Sequence, residues 1–217
     1  LTVLVAGCSS SGTTVRLKLT FEVEVDGKIK SASNVIEFRM YDVYFPERAG
    51  RTATTGEALY LDLGEGRKPL VAILNIHKGL NYGPWGPFGA LLAFGIDPSR
   101  AQDGTRPGYR RLNETQGARE LPMEQVPQLV TFENPRDPKT VELVDPHDLE
   151  ATLGSDVKWH RVTVEVTDED ITEGVIEERL PWLKTLKDGT YLDGKRISSR
   201  ATLANSLQRF DFIKRGY

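Results

Sequence analysis

The clearest pattern in this chain is a strict alternation of apolar and polar residues that begins at Val15. Apolar side chains occupy every second position from there to Val25, and charged or hydroxyl side chains lie between them. A period of two is typical of a β-strand with one buried face. The dipeptide Asp26-Gly27 follows, and it is a strong signal for a two-residue hairpin turn. We therefore predict a long, half-buried β-hairpin over residues 15–43.

The predicted turn also fixes the register of this hairpin. It puts Leu17 opposite Ile36, so the apolar side chains of the two strands share one face. Arg16 then lies across from Glu37 on the other face, where opposite charges form a favourable cross-strand pair.

Further apolar runs predict a second hairpin and three later strands. Residues 59–63 alternate before a glycine-rich turn, and residues 69–76 are continuously apolar, which is typical of a central strand. The later strands are expected over residues 129–132, 140–143 and 157–166.

The last of these strands contains a change of parity at His160. Val162 and Val164 share the parity of His160, whereas Val157 and Trp159 have the opposite parity. A β-bulge near His160 would turn both sets toward the core. For His160 itself, we favour a hydrogen-bonded core or edge position over a catalytic one.

Two segments carry the signals of short helices. Asp145 is a candidate cap for the first, with Pro146 at its first position and Gly154 at its end. The second lies within residues 172–189, and Pro181 is expected to end or kink it. Residues 77–128 are rich in glycine and proline, and we predict a long loop that is either functional or disordered.

Together these elements amount to about seven strands and a few short helices. The pattern predicts a mainly antiparallel β fold, arranged as a β-sandwich or half-open barrel, with an α+β fold as the alternative. We expect one β-rich domain over residues 15–217, with the long loop at residues 77–128.

Composition narrows the classes of function. The chain has 217 residues, 39% of them hydrophobic and 27% charged, which is ordinary for a folded domain. Its net charge of −3, without a basic block, argues against a nucleic-acid partner. The single cysteine, Cys8, excludes an intramolecular disulfide and a cysteine-based zinc site.

The amino-terminal residues LTVLVAGC end in two small residues and Cys8. This segment resembles the lipobox of bacterial lipoproteins, which implies a lipid on the Cys8 thiol and removal of the preceding signal peptide. Residues 9–14 are serine, glycine and threonine, and we interpret residues 1–14 as a truncated signal and a flexible tether. The resemblance implies a lipid-anchored protein of the bacterial envelope that faces the periplasm. By the same resemblance, Ser9 in place of an aspartate after the cysteine implies retention at the outer membrane. The alternative is an ordinary first strand over residues 1–6.

A second resemblance rests on four longer segments. They read LTFEVEVDGKIKSASNVIEFR, GEALYLDLG, LVTFENPRDPKTVELVDPHDL and RLPWLK. Together they resemble an uncharacterised group of bacterial proteins that are exported or lipid-anchored. The resemblance implies no activity, cofactor or catalytic residue.

Aromatic residues in the predicted loop are the first candidates for ligand binding. Tyr82, Trp85 and Phe88 recur every three positions between glycines and prolines, and such rings can contact a glycan, a peptide or a membrane. The alternative is a lid that folds back over one end of the core. His77 is the fourth candidate, because it ends an apolar strand where the loop begins.

The titratable residues form no recognisable catalytic or metal motif. His147 lies among acidic residues, and we interpret it as part of a solvated helical turn. We expect no cofactor and no metal. The leading hypothesis is therefore an envelope lipoprotein that binds or scaffolds an envelope protein or a glycan, attached to the membrane through Cys8. The alternatives are a β-rich periplasmic hydrolase, with His77 or His160 beside an acid under the 77–128 loop, and a cytoplasmic domain without enzymatic activity.

Overall fold

The computed structural model of the chain describes residues 12–41, 52–78, 81–97 and 107–216. Its strands are β1 (Gly12–Val25), β2 (Lys28–Tyr41), β3 (Thr52–Glu57), β4 (Leu59–Leu61), β5 (Leu70–Ala72), β6 (Asn75–Lys78), β7 (Asn81–Pro84), β8 (Arg119–Glu120), β9 (Leu129–Phe132), β10 (Val141–Val144), β11 (Val157–Val166) and β12 (Ile213–Arg215). Its α-helices are α1 (Phe88–Ala93), α2 (Pro107–Asn113), α3 (Glu150–Leu153) and α4 (Val175–Arg179). Short 3-10 helices cover Met123–Gln125, Pro138–Thr140, Pro181–Lys184, Leu203–Asn205 and Arg209–Asp211.

The strands form three antiparallel sheets. The largest has the order β12-β3-β2-β1-β11-β8, the second has the order β10-β9-β5-β4, and β6 pairs with β7 alone. Apolar residues of the two larger sheets, such as Leu17 and Leu70, belong to the same buried cluster. The prediction of a mainly antiparallel β fold with short helices is confirmed, in an arrangement that resembles a sandwich.

The β1–β2 hairpin has the predicted register. Leu17 pairs with Ile36 and Arg16 pairs with Glu37, and the Arg16 Nε donates to Glu37 Oε2 at 3.0 Å. However, β1 begins at Gly12, so Gly12, Thr13 and Thr14 pair with β2. The expected tether over residues 9–14 is therefore wrong for its last three residues, because backbone pairing to β2 extends the strand beyond the apolar alternation. Residues 1–11, including Cys8, lie outside the described residues.

The predicted β-bulge is also confirmed. Val23 of β1 pairs with Trp159 and Glu22 pairs with Arg161, which leaves His160 as the extra residue of β11. Val157 and Val162 on either side of it are both buried. The side chain of His160 is exposed, so the interpretation of a core position is wrong. The bulge directs this side chain outward and keeps both halves of the strand in phase with the core.

The second hairpin and the later strands lie close to their predicted positions. Leu61 pairs with Leu70, and β5 lies between β4 and β9, as expected for a central strand. The apolar run over residues 69–76 does not form one strand, since β5 ends at Ala72 and β6 begins at Asn75. The strands β9 and β11 have the predicted bounds, and β10 begins one residue late.

The predicted long loop over residues 77–128 contains regular structure where it is described. It contributes β7, α1, α2 and β8, and some of its apolar residues are buried in the main core: Trp85, Leu91, Leu112 and Leu121. The prediction of an irregular loop is therefore wrong over these residues. These four buried apolar residues lie too far apart along the chain to produce a helical or strand period in the sequence.

The predicted helices occur, with changed boundaries. The first begins at Glu150. Asp148 Oδ1 accepts a hydrogen bond from the Ala151 backbone at 3.2 Å, whereas Asp145 Oδ1 accepts one from the His147 backbone. It ends before Gly154, as predicted. The second, α4, ends at Arg179, before Pro181, and the chain continues as a 3-10 helix.

A second core lies under the carboxyl-terminal part of the chain. The rings of Phe132, Trp182 and Phe212 contact one another, with centroids 5.4 to 6.3 Å apart. The Ala58 backbone donates to the Phe212 carbonyl at 2.7 Å. These contacts hold β12 at the edge of the large sheet, beside β3.

Candidate ligand-binding site

The free edge of the large sheet brings together residues that are far apart in the sequence. Lys214 of β12 pairs with Gly56 of β3, and Thr54 pairs with Phe38 of β2. Directly paired residues point to the same face of a sheet, as do residues two apart in one strand. Lys214, Thr54 and Thr52 therefore lie on the face that carries Phe38.

Gly56 is required at this position for two reasons. Its backbone has a φ of +145°, which side-chain-bearing residues rarely adopt. A Cβ at Gly56 would also lie 3.2 Å from the Ile36 Cα. Because Gly56 has no side chain, no side chain at this position of β3 lies between Lys214 and Ile36 of β2.

A cavity of about 410 Å³ opens at this edge, and we call it the β12 cavity. Its lining includes Thr52, Thr54, Asp188, Gln208, Arg209, Phe210, Lys214 and Arg215. This volume is within the range of sites that hold small organic ligands.

Lys214 is the central group of the β12 cavity. Its side chain is half-buried, and its Nζ lies 5.3 Å from the centroid of the Phe210 ring. Burial lowers the pKa of the Lys214 ammonium below its ordinary value, and the Asp211 carboxylate opposes part of this shift. Asp211 is already engaged, because its oxygens accept hydrogen bonds from the Asn75 side chain and the Gln208 backbone.

The other cations of the cavity are held by the protein. The Arg209 Nη2 donates to Glu177 at 3.0 Å, and its Nε donates to the Leu183 carbonyl at 2.9 Å. Arg215 lies 3.7 Å from Glu173. These ion pairs leave the Lys214 ammonium as the group best placed to pair with an anion in the cavity. The Phe210 ring, which is 51% exposed, offers an apolar surface beside it.

A second cavity of about 370 Å³ adjoins the first, and we call it the Trp85 cavity. The two cavities share Thr52 and Thr54. The remaining lining is mainly aromatic and aliphatic: Ile76, Trp85, Gly86, Pro87, Phe88, Tyr109 and Gln125. The two adjoining spaces therefore differ in chemistry, one cationic and one apolar.

The predicted aromatic residues have different positions in this arrangement. Trp85 is buried, its Nε1 donates to the Gln125 carbonyl at 2.9 Å, and its ring packs against Phe38. Trp85 therefore lines a cavity, as expected if the aromatic residues fold back as a lid over one end of the core, and its ring is not exposed on the surface. Phe88 is 44% exposed at the start of α1. The backbones of His77 and Tyr82 pair in β6–β7, and their side chains lie outside the described part of the structure.

The other histidines are not brought to either cavity. His147 is exposed in the turn before α3, and His160 is exposed at the bulge of β11. In the part of the chain that the structure describes, no cluster of three or more histidine, cysteine or acidic residues could hold a metal ion. No helix within the described ranges is long and apolar enough to cross a membrane.

Sequence reasoning did not identify the residues of the β12 cavity. The segment RFDFIKR contains Phe210 and Lys214, and an aromatic residue among cations is the only local signal. It matches no binding motif, and only the pairing of β12 with β3 brings Lys214 to Thr52 and Thr54. Comparisons with protein-family models, curated proteins and solved structures give no match to this chain.

Proposed function

We propose that this protein is a binding module for a small organic anion, with its site in the β12 cavity, and that lipid on Cys8 holds it at a membrane of the bacterial envelope. The observation that carries the binding proposal is the position of Lys214. Its half-buried ammonium lines a cavity of ligand size beside the exposed Phe210 ring. A carboxylate or phosphate that pairs with this ammonium would offset the cost of its burial.

Simple aromatic anions test this proposal. Benzoate and phenyl phosphate combine an anionic group with a ring that can pack on Phe210, and calorimetric titration measures their dissociation constants. We expect Lys214→Met to weaken binding by about tenfold or more, because a charge-assisted hydrogen bond contributes about 1.5–3 kcal/mol. The matched control is Lys158→Met, since Lys158 is an exposed lysine of β11. Equal affinities of wild type and Lys214→Met for both probes would rule out this site.

The pH dependence of binding gives an independent readout. An anion pairs with the protonated ammonium, whose pKa is lowered in the free protein. Affinity for benzoate should therefore decrease as pH rises through the lowered pKa of Lys214. The same profile should be flat in Lys214→Met.

The proposed anchor is supported by the lipobox-like segment and by the place where the fold begins. The strand β1 begins at Gly12, four residues after Cys8. Four extended residues span at most about 14 Å, so this is the largest distance between the proposed lipid attachment at Cys8 and the start of β1. Gly12 pairs with Tyr41, and Thr52 pairs with Met40, so the start of β1 and the two cavities lie at the same end of the large sheet. Lipid on Cys8 would thus hold the cavities near the bilayer.

Metabolic labelling tests the anchor separately. Cells that express the protein with its native upstream sequence and are fed radioactive palmitate should label it, and Cys8→Ala should abolish the label. Ser10→Ala is the control, because it changes a neighbouring residue and keeps the thiol. Label that persists in Cys8→Ala would refute lipid attachment at this residue.

A further inference from the structure

The two adjoining cavities differ in polarity, and this difference indicates more about the ligand than Lys214 does alone. We infer that the ligand is a single-chain anionic amphiphile, with its head group at Lys214 in the β12 cavity and its apolar chain in the Trp85 cavity. This inference rests on the proposed binding site and names the class of ligand that it takes.

The first step of the argument is the shared wall. Thr52 and Thr54 line both cavities, and the strand register puts these two residues on one face of β3. A molecule that extends along this face passes from one cavity to the other. With volumes of about 410 and 370 Å³, each space is large enough for part of one ligand.

The second step is the difference in chemistry between the two ends. At one end, Lys214 supplies a cation whose burial is unfavourable without an anion. At the other end, Trp85, Ile76 and Phe88 supply aromatic and aliphatic surface. Burial of a hydrocarbon chain against such side chains is favourable in proportion to the area removed from water. A small anion without a hydrocarbon chain would occupy only the β12 cavity.

The third step is the free space beside Gly86, which lines the Trp85 cavity. A Cβ built on Gly86 meets no heavy atom within 4 Å, and the backbone φ of this residue lies outside the left-handed region. A larger side chain is therefore tolerated there without backbone strain. Gly86→Phe is expected to fill space that the chain of the ligand would occupy, and Gly86→Ala is its matched control.

A chain-length series tests the inference. The probes are hexanoate, octanoate and decanoate, together with octyl phosphate and the uncharged octyl glucoside, all below their micellar concentrations. In the wild type, we expect the dissociation constant of the alkyl carboxylates to fall by about two- to fourfold for each added methylene. Octyl glucoside should bind at least tenfold more weakly than octanoate. The comparison of octanoate with octyl phosphate shows which acidic head group Lys214 prefers.

The variants separate this inference from the proposed function. Lys214→Met should weaken binding of every acid by a similar factor. Gly86→Phe should leave the affinity for benzoate unchanged and abolish the gain with chain length, whereas Gly86→Ala should retain it. If benzoate binds through Lys214 but affinity does not rise with chain length, or if the rise persists in Gly86→Phe, the amphiphile inference is wrong and the proposed site stands. If Lys214→Met has no effect on any acid, including benzoate, the proposed site itself is wrong.

Discussion

Trp85 shows at the scale of a single residue how an aromatic side chain between glycines and prolines can belong to the core. The sequence alone admits an exposed ring or a buried one. In the structure Trp85 is buried: its indole N–H donates to the Gln125 carbonyl, and its ring packs against Phe38. A buried tryptophan requires both an apolar contact and a hydrogen-bond partner.

The burial of Trp85 predicts a large difference between two neighbouring aromatic residues. Trp85→Ala should lower the free energy of unfolding by about 3–5 kcal/mol, since it removes a large buried side chain and leaves a void. Phe88→Ser should change it by less than about 1 kcal/mol, because Phe88 is 44% exposed. Urea denaturation of both variants measures these differences. Similar effects of the two substitutions would contradict the assignment of Trp85 to the core.

Glu57 is a buried acid with a structural role. Its side chain is 1% exposed, and its carboxylate oxygens accept hydrogen bonds from the backbones of Gly174 and Ile176 at 2.8 and 3.1 Å. Burial raises the pKa of Glu57 above its ordinary value of 4.5, and these amides oppose part of the shift. The carboxylate thus fixes the start of α4 against β3.

The raised pKa of Glu57 predicts a specific dependence of stability on pH. The folded protein retains the Glu57 proton to higher pH than the unfolded chain, so the stability due to this group is complete below pH 4.5 and is lost as pH rises through the raised pKa. The free energy of unfolding of the wild type, relative to that of Glu57→Gln, should therefore decline as pH rises from 4.5. Glu178→Gln, on the exposed side of α4, serves as the control. A difference that grows with pH would show that the pKa is lowered instead.

At the scale of elements, the bulge of β11 shows how one extra residue preserves an alternating pattern. His160 has no partner in β1, and the strand segments before and after it keep Val157 and Val162 toward the core. Deletion of His160 would make Trp159 and Arg161 neighbours opposite Val23 and Glu22, which is regular antiparallel pairing.

The bulge therefore predicts different effects for two deletions in the same strand. Deletion of His160 should change the free energy of unfolding by about 1 kcal/mol or less, because every inward side chain stays inward. Deletion of Thr163 should cost more than about 3 kcal/mol, because either Arg161 enters the core or residues 164–166 reverse their faces. Thermal or urea unfolding of the two variants compares them directly. Equal losses would mean that His160 is not the inserted residue.

At the scale of the whole molecule, the carboxyl-terminal segment links the large sheet to the chain where β5 passes into β6. The Leu74 backbone donates to the Asp211 carbonyl at 2.8 Å, and the Asn75 side chain donates to the Asp211 carboxylate, while Ile213 pairs with Glu57 in the large sheet. Asp211 and Asn75 are both buried. The same segment carries Phe210 and Lys214, so the candidate site depends on this connection.

Substitution of Asp211 is expected to test that connection. Asp211→Ala should lower the free energy of unfolding by about 3–5 kcal/mol, because the buried amide of Asn75 and the Gln208 backbone lose the carboxylate that accepts from them. Asp211→Asn keeps one side-chain acceptor and should cost less. Urea denaturation gives both values. A loss of less than 1 kcal/mol in Asp211→Ala would show that the linkage contributes little to stability.

Local sequence patterns are sufficient to predict the elements whose strands and turns are neighbours along the chain. The alternation from Val15 and the turn at Asp26-Gly27 specified the register of the first hairpin, and the change of parity at His160 specified the bulge. In both cases one face of a strand is buried, and a shift of one residue would expose the whole apolar set. The fold class followed from the same patterns, because hairpins with short turns form antiparallel sheets.

The elements that depend on partners distant in the chain could not be predicted, because folding alone brings those partners together. The short strands β3 and β12 carry little apolar periodicity, and they exist because each completes the hydrogen bonds of a neighbour. Trp85 is buried because Phe38 and Gln125 meet it from elsewhere in the chain. Lys214 becomes a candidate for ligand binding only when β12 lies beside Thr52 and Thr54. A lysine near the end of a chain has no distinctive sequence signal, because its function is set by burial and by neighbours that folding supplies.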